Sequence, residues 1–403
     1  MKESMHFIIP IWIGMMVNSL LSIVDFLYLT PYSNFYLSAI GIGYIPFSII
    51  STLVIGLSIE TNRTLAKNEN LNFKNISTFC LAFSFVLMIL SLLIGDRAFF
   101  FIHNISLKRA CIDYFTSISI SIIPTSFIYL FTGILRGKGK PEKSIIFSAL
   151  AVLFNIVLDG ILLKSKLFES PVIACGLAST LSDALTAIFY FSYLMSHKYL
   201  SNKAMNIRKF IKNASLNSLE KLFSSSTLEI IISLFMAFLS IKSSSVYFSL
   251  QRYYQPLALF PYCFFEWIIY SSSKNIRTNK MIYPLYFAIL FFYNLILIYF
   301  LDLKGDNLFF SIIYMIYLFI FLFERQMVAY FFSLEKGSFV NIIVFFRDLA
   351  LFLILGSLIL IRSFTLLTFG ISNLLVFLAE YCIFIKSFKG KRQQVSTVCH
   401  RNR

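Results

Sequence analysis

Two side chains in the segment 151–163, AVLFNIVLDGILL, are out of keeping with their surroundings: Asn155 and Asp159. In a helix they stand at i and i+4, so both emerge from one face about one turn apart and can address one ligand. The rest of the segment reads as a helix made to cross hydrocarbon, where a carboxylate costs a few kcal/mol even on insertion scales. A residue held at that cost is a candidate for function, and the chemistry open to it is narrow. Carboxylate and amide oxygens are hard donors for a desolvated Na+. A buried acid near a second acid takes up a proton instead. Asp25 is a second carboxylate in another apolar segment, and Ser179 and Thr180 add hydroxyl oxygens from a third.

The elements that must position these groups are membrane spans. Hydrophobic residues make up 58% of the 403 positions and charged ones 13%, too little polar surface for a soluble domain. Roughly twelve apolar segments, each near the length needed to cross about 30 Å of hydrocarbon, recur along the chain. They lie near 7–29, 35–58, 76–95, 111–135, 143–164, 171–195, 224–242, 246–272, 281–301, 308–333, 340–361 and 365–386. An even number puts both ends on one side. With that side cytoplasmic, its loops gather basic clusters such as Arg136, Lys138, Lys140, Lys143 and Arg208, Lys209, Lys212, while the opposite loops hold a scatter such as Arg97, Lys108 and Lys164. This skew satisfies the positive-inside rule, so the net charge of +16 reflects topology and anionic leaflet contact rather than nucleic acid. The first span has only Lys2 ahead of it and no small-residue cleavage site, and it reads as retained rather than removed.

No metal centre or bound cofactor is expected. Cys80, Cys111, Cys175, Cys263, Cys382 and Cys399 stand singly, and none of His6, His103, His197 and His400 has a partner at i+4. Arg136-Gly137-Lys138-Gly139 lacks the spacing of a phosphate cradle, so it reads as a tight turn and no ATP chemistry follows. Nothing in the chain points to an enzyme.

The long polar loop 196–223 divides the sequence. We expect a six-helix lobe over 1–195, a cytoplasmic linker over 196–223, a second six-helix lobe over 224–390 and a basic tail over 391–403. Internal echoes support a repeat. Tyr44-x-Pro46 answers Tyr254-x-Pro256, and the stretch around Leu135 answers that around Leu334. Two bundles joined by a loop suit alternating access around a site near the midplane.

Phe131-Thr-Gly-Ile-Leu-Arg-Gly-Lys-Gly-Lys-Pro141 followed by Asn155-x-x-x-Asp159 resembles the multidrug and toxic compound extrusion (MATE) family of the MOP flippase superfamily. Pro10 and Val24-Asp25 in the first span, Ala39-Ile-Gly41, Gly56-Leu-Ser58 and Ala174-Cys-Gly-Leu-Ala-Ser-Thr-Leu-Ser182 fall in register with it. The likeness covers 7–195 well and continues more weakly to about 386, through Glu229 in the seventh span and Glu324 in the tenth. It implies an all-α antiporter of about twelve helices in two pseudo-symmetric bundles. Such a protein exports cationic or amphipathic organic compounds in exchange for H+ or Na+. The implied coupling residues are Asp25, Asn155 and Asp159 with Ser179 and Thr180; Glu229 and Glu324 would form a second-lobe cation or substrate site. A bacterial inner membrane, both termini cytoplasmic and a monomer complete the expectation. A lipid-linked saccharide flippase or peptide exporter on the same fold is the alternative, and a non-transporting scaffold or receptor is the rival of another class. The second half departs from the pattern, with Glu335-Lys336 at its turn and Ile354 and Leu358 matched to Asn155 and Asp159. The site is therefore expected in one lobe only. Arg252, Glu266, Arg347, Asp348, Asp183 and Glu380 are further charges within spans, read mostly as buried ion pairs or snorkelling helix ends.

Overall fold

The computed structural model describes residues 2–29, 31–32, 34–99, 104–165, 167–168, 170–223, 231, 250, 253–274, 281–361 and 363–401. Among them the chain forms thirteen α-helices and no strand: α1 (Lys2–Leu29), α2 (Asn34–Ala66), α3 (Phe73–Ala98), α4 (Ile105–Ser119), α5 (Ile122–Gly137), α6 (Glu142–Ser165), α7 (Pro171–Ser196), α8 (Ile207–Lys221), α9 (Phe260–Ser273), α10 (Ile282–Phe300), α11 (Asp306–Ser333), α12 (Gly337–Leu360) and α13 (Leu366–Arg401). Among the described residues, eight helices are long and apolar enough to cross a membrane, nine when α4 and α5, bent by 47° at their junction, count as one broken span. This is the architecture of an all-α, multi-pass membrane protein. Apart from residue 231, the expected span 224–242 lies outside the described residues.

Local chemistry sets the helix ends. Asn72, Asn104 and Asn206 cap α3, α4 and α8, each side chain accepting from the backbone N–H three residues on. At the other end, the turn after α5 closes with Gly139 N–H donating to Arg136 O and Lys140 N–H to Leu135 O, both at 2.9 Å. That pairing needs a left-handed residue, and Gly139 supplies it at φ 72°. The break between α4 and α5 has an equally local cause. Pro124 has no N–H to give to the Ile120 carbonyl, and its ring disfavours a continuous helix there.

The helices cluster into two compact units, residues 9–222 and residues 1–8 with 223–403. In the first, α2 is the element on which α4, α5 and α8 pack. Small residues permit the close approach: a Cβ at Gly133 would lie 2.5 Å from the Ser58 carbonyl oxygen, and one at Gly56 2.1 Å from that of Ala214. The span expected to stop at 58 continues to Ala66 with Glu60, Thr61, Asn62, Arg63 and Thr64 all buried. It can do so because α8 covers it. Glu60 pairs with Arg63 at 2.5 Å and accepts from Asn213 at 3.1 Å, while Ser218 donates to the Leu53 carbonyl. Residues 196–223 thus contain a helix fixed onto α2.

The second unit is filled by aromatic rings. Phe260 stacks on Tyr286 with centroids 4.8 Å apart, Tyr283 on Phe323 at 4.8 Å, and Tyr317 meets Phe377 edge-on at 4.9 Å. Offset and edge contacts of this kind add about 1 kcal/mol each beyond burial. Here much of the chain's phenylalanine and tyrosine serves packing.

Gly56→Ala should force α8 away from α2 and lower stability by about 1–3 kcal/mol, the usual cost of overpacking. Gly356→Ala, with nothing within 4 Å of the added carbon, should be silent. Thermal unfolding in detergent checks both.

Candidate cation site

The interior face of α6 runs in steps of four through Phe147, Ala151, Asn155, Asp159 and Leu163. Its opposite face exposes Leu153, Val157 and Ile161. The helix therefore hides polar groups and shows hydrocarbon, as a lipid-facing helix with a functional interior does. Asn155 and Asp159 are both 0% exposed. Asn155 Nδ2 donates to Ser179 Oγ at 3.2 Å, which ties α6 to α7, and its buried Oδ1 accepts no hydrogen bond among the described residues. From α1 the phenol of Tyr28 lies against Gly160, 3.3 Å from where a Cβ would stand. That brings a hydroxyl to the residue beside Asp159.

The other expected ligands divide. Thr180 faces α4, donating to Ser117 O at 3.0 Å and to Gly176 O of its own helix at 2.9 Å. It fastens α7 to α4 and does not join Asn155. The side chain of Asp25 and all of Glu229 lie outside the described residues. Asp183 departs from the ion-pair or snorkelling reading. It accepts hydrogen bonds from the hydroxyls of Ser121, at 2.5 Å, and Thr125, at 2.8 Å.

The second unit treats its charges differently. Glu324 and Arg325 are fully buried and paired to each other, Nε to Oε2 and Nη2 to Oε1, both at 2.5 Å. The Arg325 guanidinium also lies 5.0 Å from the Phe321 ring centroid. Glu324 is thus a neutralised interior acid, not a solvated helix end. Arg347 donates twice to Asp348 Oδ1, at 2.7 and 2.9 Å, reaches Glu380 at 3.4 Å and covers the Phe377 ring. These carboxylates each have a guanidinium within reach.

No family model and no curated protein matches the sequence. Solved structures do match over nearly its whole length. A MOP superfamily transporter from Pyrococcus furiosus Vc1, whose binding pocket of reverse polarity suggests a different function, aligns with TM-score 0.78 at 19% identity over 96% of both chains. A MATE in the straight conformation aligns with TM-score 0.79 at 19% identity over 97% of both. An outward-facing multidrug resistance MATE family transporter gives TM-score 0.76 at 19% identity over 99% of this chain and 96% of its own. This chain has the MATE fold.

On the MATE fold the internal repeat can be set by turn geometry. Glu335 takes the left-handed position after α11 at φ 61°, with Glu335 N–H donating to Phe332 O and Lys336 N–H to Phe331 O. It therefore answers Gly139, and Lys336 answers Lys140. The echo that set Leu135 against Leu334 is corrected to Leu135 against Phe331, three residues away. The same shift moves the counterparts of Asn155 and Asp159 from Ile354 and Leu358 to Leu351 and Leu355, both fully buried. Two leucines still replace the polar pair. Sequence reading also missed Ser121 and Thr125, whose signal was a pair of hydroxyls at i and i+4 flanking Pro124.

Arg347→Met leaves Asp348 and Glu380 buried without their cation and should cost about 3–5 kcal/mol. Adding Glu380→Gln should restore part of that loss, because the two changes share one network. Chemical or thermal unfolding of the purified variants reads both effects.

Proposed function

We propose that this chain is a secondary active antiporter that exports cationic or amphipathic organic compounds in exchange for H+ or Na+ by alternating access. The observation that carries the reading is the fully buried Asn155–Asp159 pair on the interior face of α6, within a fold shared with MATE and other MOP superfamily transporters. A carboxylate and amide held away from water bind a proton or a bare cation only by changing the net charge of the unit. Such a change biases the equilibrium between two conformations, which is what coupling requires.

On this reading Asp159 carries the exchangeable charge, Asn155 orients the cation through its Oδ1, and Ser179 fixes the Asn155 amide so that the oxygen faces the site. Asp25 joins them from α1, whereas Thr180 acts as a packing lock. Glu324 serves the second unit through its pair with Arg325, and Glu229 remains a candidate second-lobe acid. The protein works as a monomer in a bacterial inner membrane with both termini in the cytoplasm. Its partners are the organic cation, the coupling ion and the bilayer.

Expression in a pump-deficient bacterium should lower accumulation of at least one fluorescent organic cation several-fold, and Asp159→Asn at equal membrane abundance should abolish the effect. Unchanged accumulation across a broad panel of cations would overturn multidrug export. Export of a peptide or a lipid-linked saccharide in its place would move the protein to the alternative reading.

A further inference from the structure

The broken span presents a second acid that the proposed coupling centre does not use. Asp183 lies near the middle of α7, on a helix that contains no Lys or Arg. Its Oδ2 receives the Ser121 hydroxyl at 2.5 Å and the Thr125 hydroxyl at 2.8 Å, and those two oxygens are themselves 2.8 Å apart. Three oxygens from two helices thus converge beside the 47° bend between α4 and α5. Both donors point at the carboxylate, which is the arrangement an ionised acid needs when water is scarce.

The surroundings connect this cluster to Asn155. Ser179, which receives the Asn155 amide, and Asp183 are i and i+4 on α7 and share a face. On α5, Tyr129 follows Thr125 by one turn and is close enough to feel the Asp183 charge. Thr132 and Tyr190 then join the two helices at 3.1 Å. Polar groups therefore run from Asp159 on α6, through Asn155 and Ser179, to Asp183 and onward toward the Arg136 end of α5. Of the titratable groups on the neighbouring helices, Tyr129 of α5 interacts with Asp183 and also with Arg136 further along α5. On α4, Asp113 and Tyr114 come about two turns before the break, and the charged residues of α2, Glu60 and Arg63, pair with each other.

We propose that Asp183 is a second proton-binding site of the first unit, ionised while Ser121 and Thr125 both donate to it and holding those hydroxyls less tightly when a proton arrives. Protonation removes the negative charge at which both hydroxyls point, and hydrogen bonds to a neutral acid are weaker than those to a carboxylate, so uptake loosens the clamp at the bend. The site extends the cation-coupling reading, yet its protonation can be observed without transport.

Infrared difference spectroscopy of the full-length protein in lipid, across a pH titration, tests it. We expect a carboxylic-acid C=O band that is lost in Asp183→Asn and retained in Asp159→Asn. Asparagine keeps an oxygen for both hydroxyls, so a purely structural clamp survives the change. Ser121→Ala with Thr125→Val removes the two donors to the ionised form and should shift the midpoint of that band. Identical spectra and titrations in wild type and Asp183→Asn would overturn the proposal, because Asp183 would then hold one protonation state throughout. A wild-type protein that exports nothing would defeat the antiporter reading and leave the infrared result standing.

Discussion

Inside hydrocarbon a polar group has only the protein to turn to, and much of this structure follows from that constraint. Its helices keep their backbone groups satisfied internally, but side-chain charges need separate solutions. Both units use buried ion pairs, Glu60 with Arg63 in the first, but the first also holds acids on helices without an interior cation. In the second, Arg325 holds Glu324 by a short bidentate contact, Arg347 donates twice to one oxygen of Asp348 and once to Glu380 at 3.4 Å, and each guanidinium lies over an aromatic ring. In the first, α6 and α7 bury Asn155 and Asp159 and hold Asp183 between apolar faces with no Lys or Arg in the interior stretches of either helix. The hydroxyls of Ser121 and Thr125 accompany Asp183, and neutral partners leave a carboxylate able to change its charge.

The packing of the first unit serves this arrangement. Gly133 and Gly56 let α5 and α8 press onto α2, and Thr180 and Gly176 seat α7 against Ser117 of α4. With α7 fixed in this way, its Ser179 is presented to α6 and its Asp183 to the bend in the broken span. One helix thus supplies the neutral partner of one polar site and the carboxylate of another. Proline at 124 makes the bend, and the residues on either side of it supply the hydroxyls.

What could be read from the sequence depended on contrast. Asn155 and Asp159 stood out because everything near them is apolar, and the all-α membrane architecture followed from composition and segment length. The turn of Arg136 to Lys140 was recognisable from its glycines. Ser121, Thr125 and Thr180 were not separable from other hydroxyl residues, since the same side chain can bond its own helix, a neighbour or a charge. Thr180 bonds backbone oxygens while Ser121 binds an acid, a difference set by which face of the helix meets which neighbour. Repeat register failed for a related reason. Matching letters placed Leu334 opposite Leu135, whereas the left-handed turn residue fixes Glu335 opposite Gly139 and leads to Leu351 and Leu355.

The central claim is that exchangeable charge resides in the first unit and that Glu324 of the second is neutralised by its own pair. The direct test is to add an organic cation that the purified protein binds and to record the H+ or Na+ released, in weakly buffered medium with ion-selective detection. The account predicts release from wild type, none from Asp159→Asn, and release preserved when Glu324→Gln and Arg325→Gln are introduced together. Release that survives in Asp159→Asn but disappears in the paired replacement would contradict it.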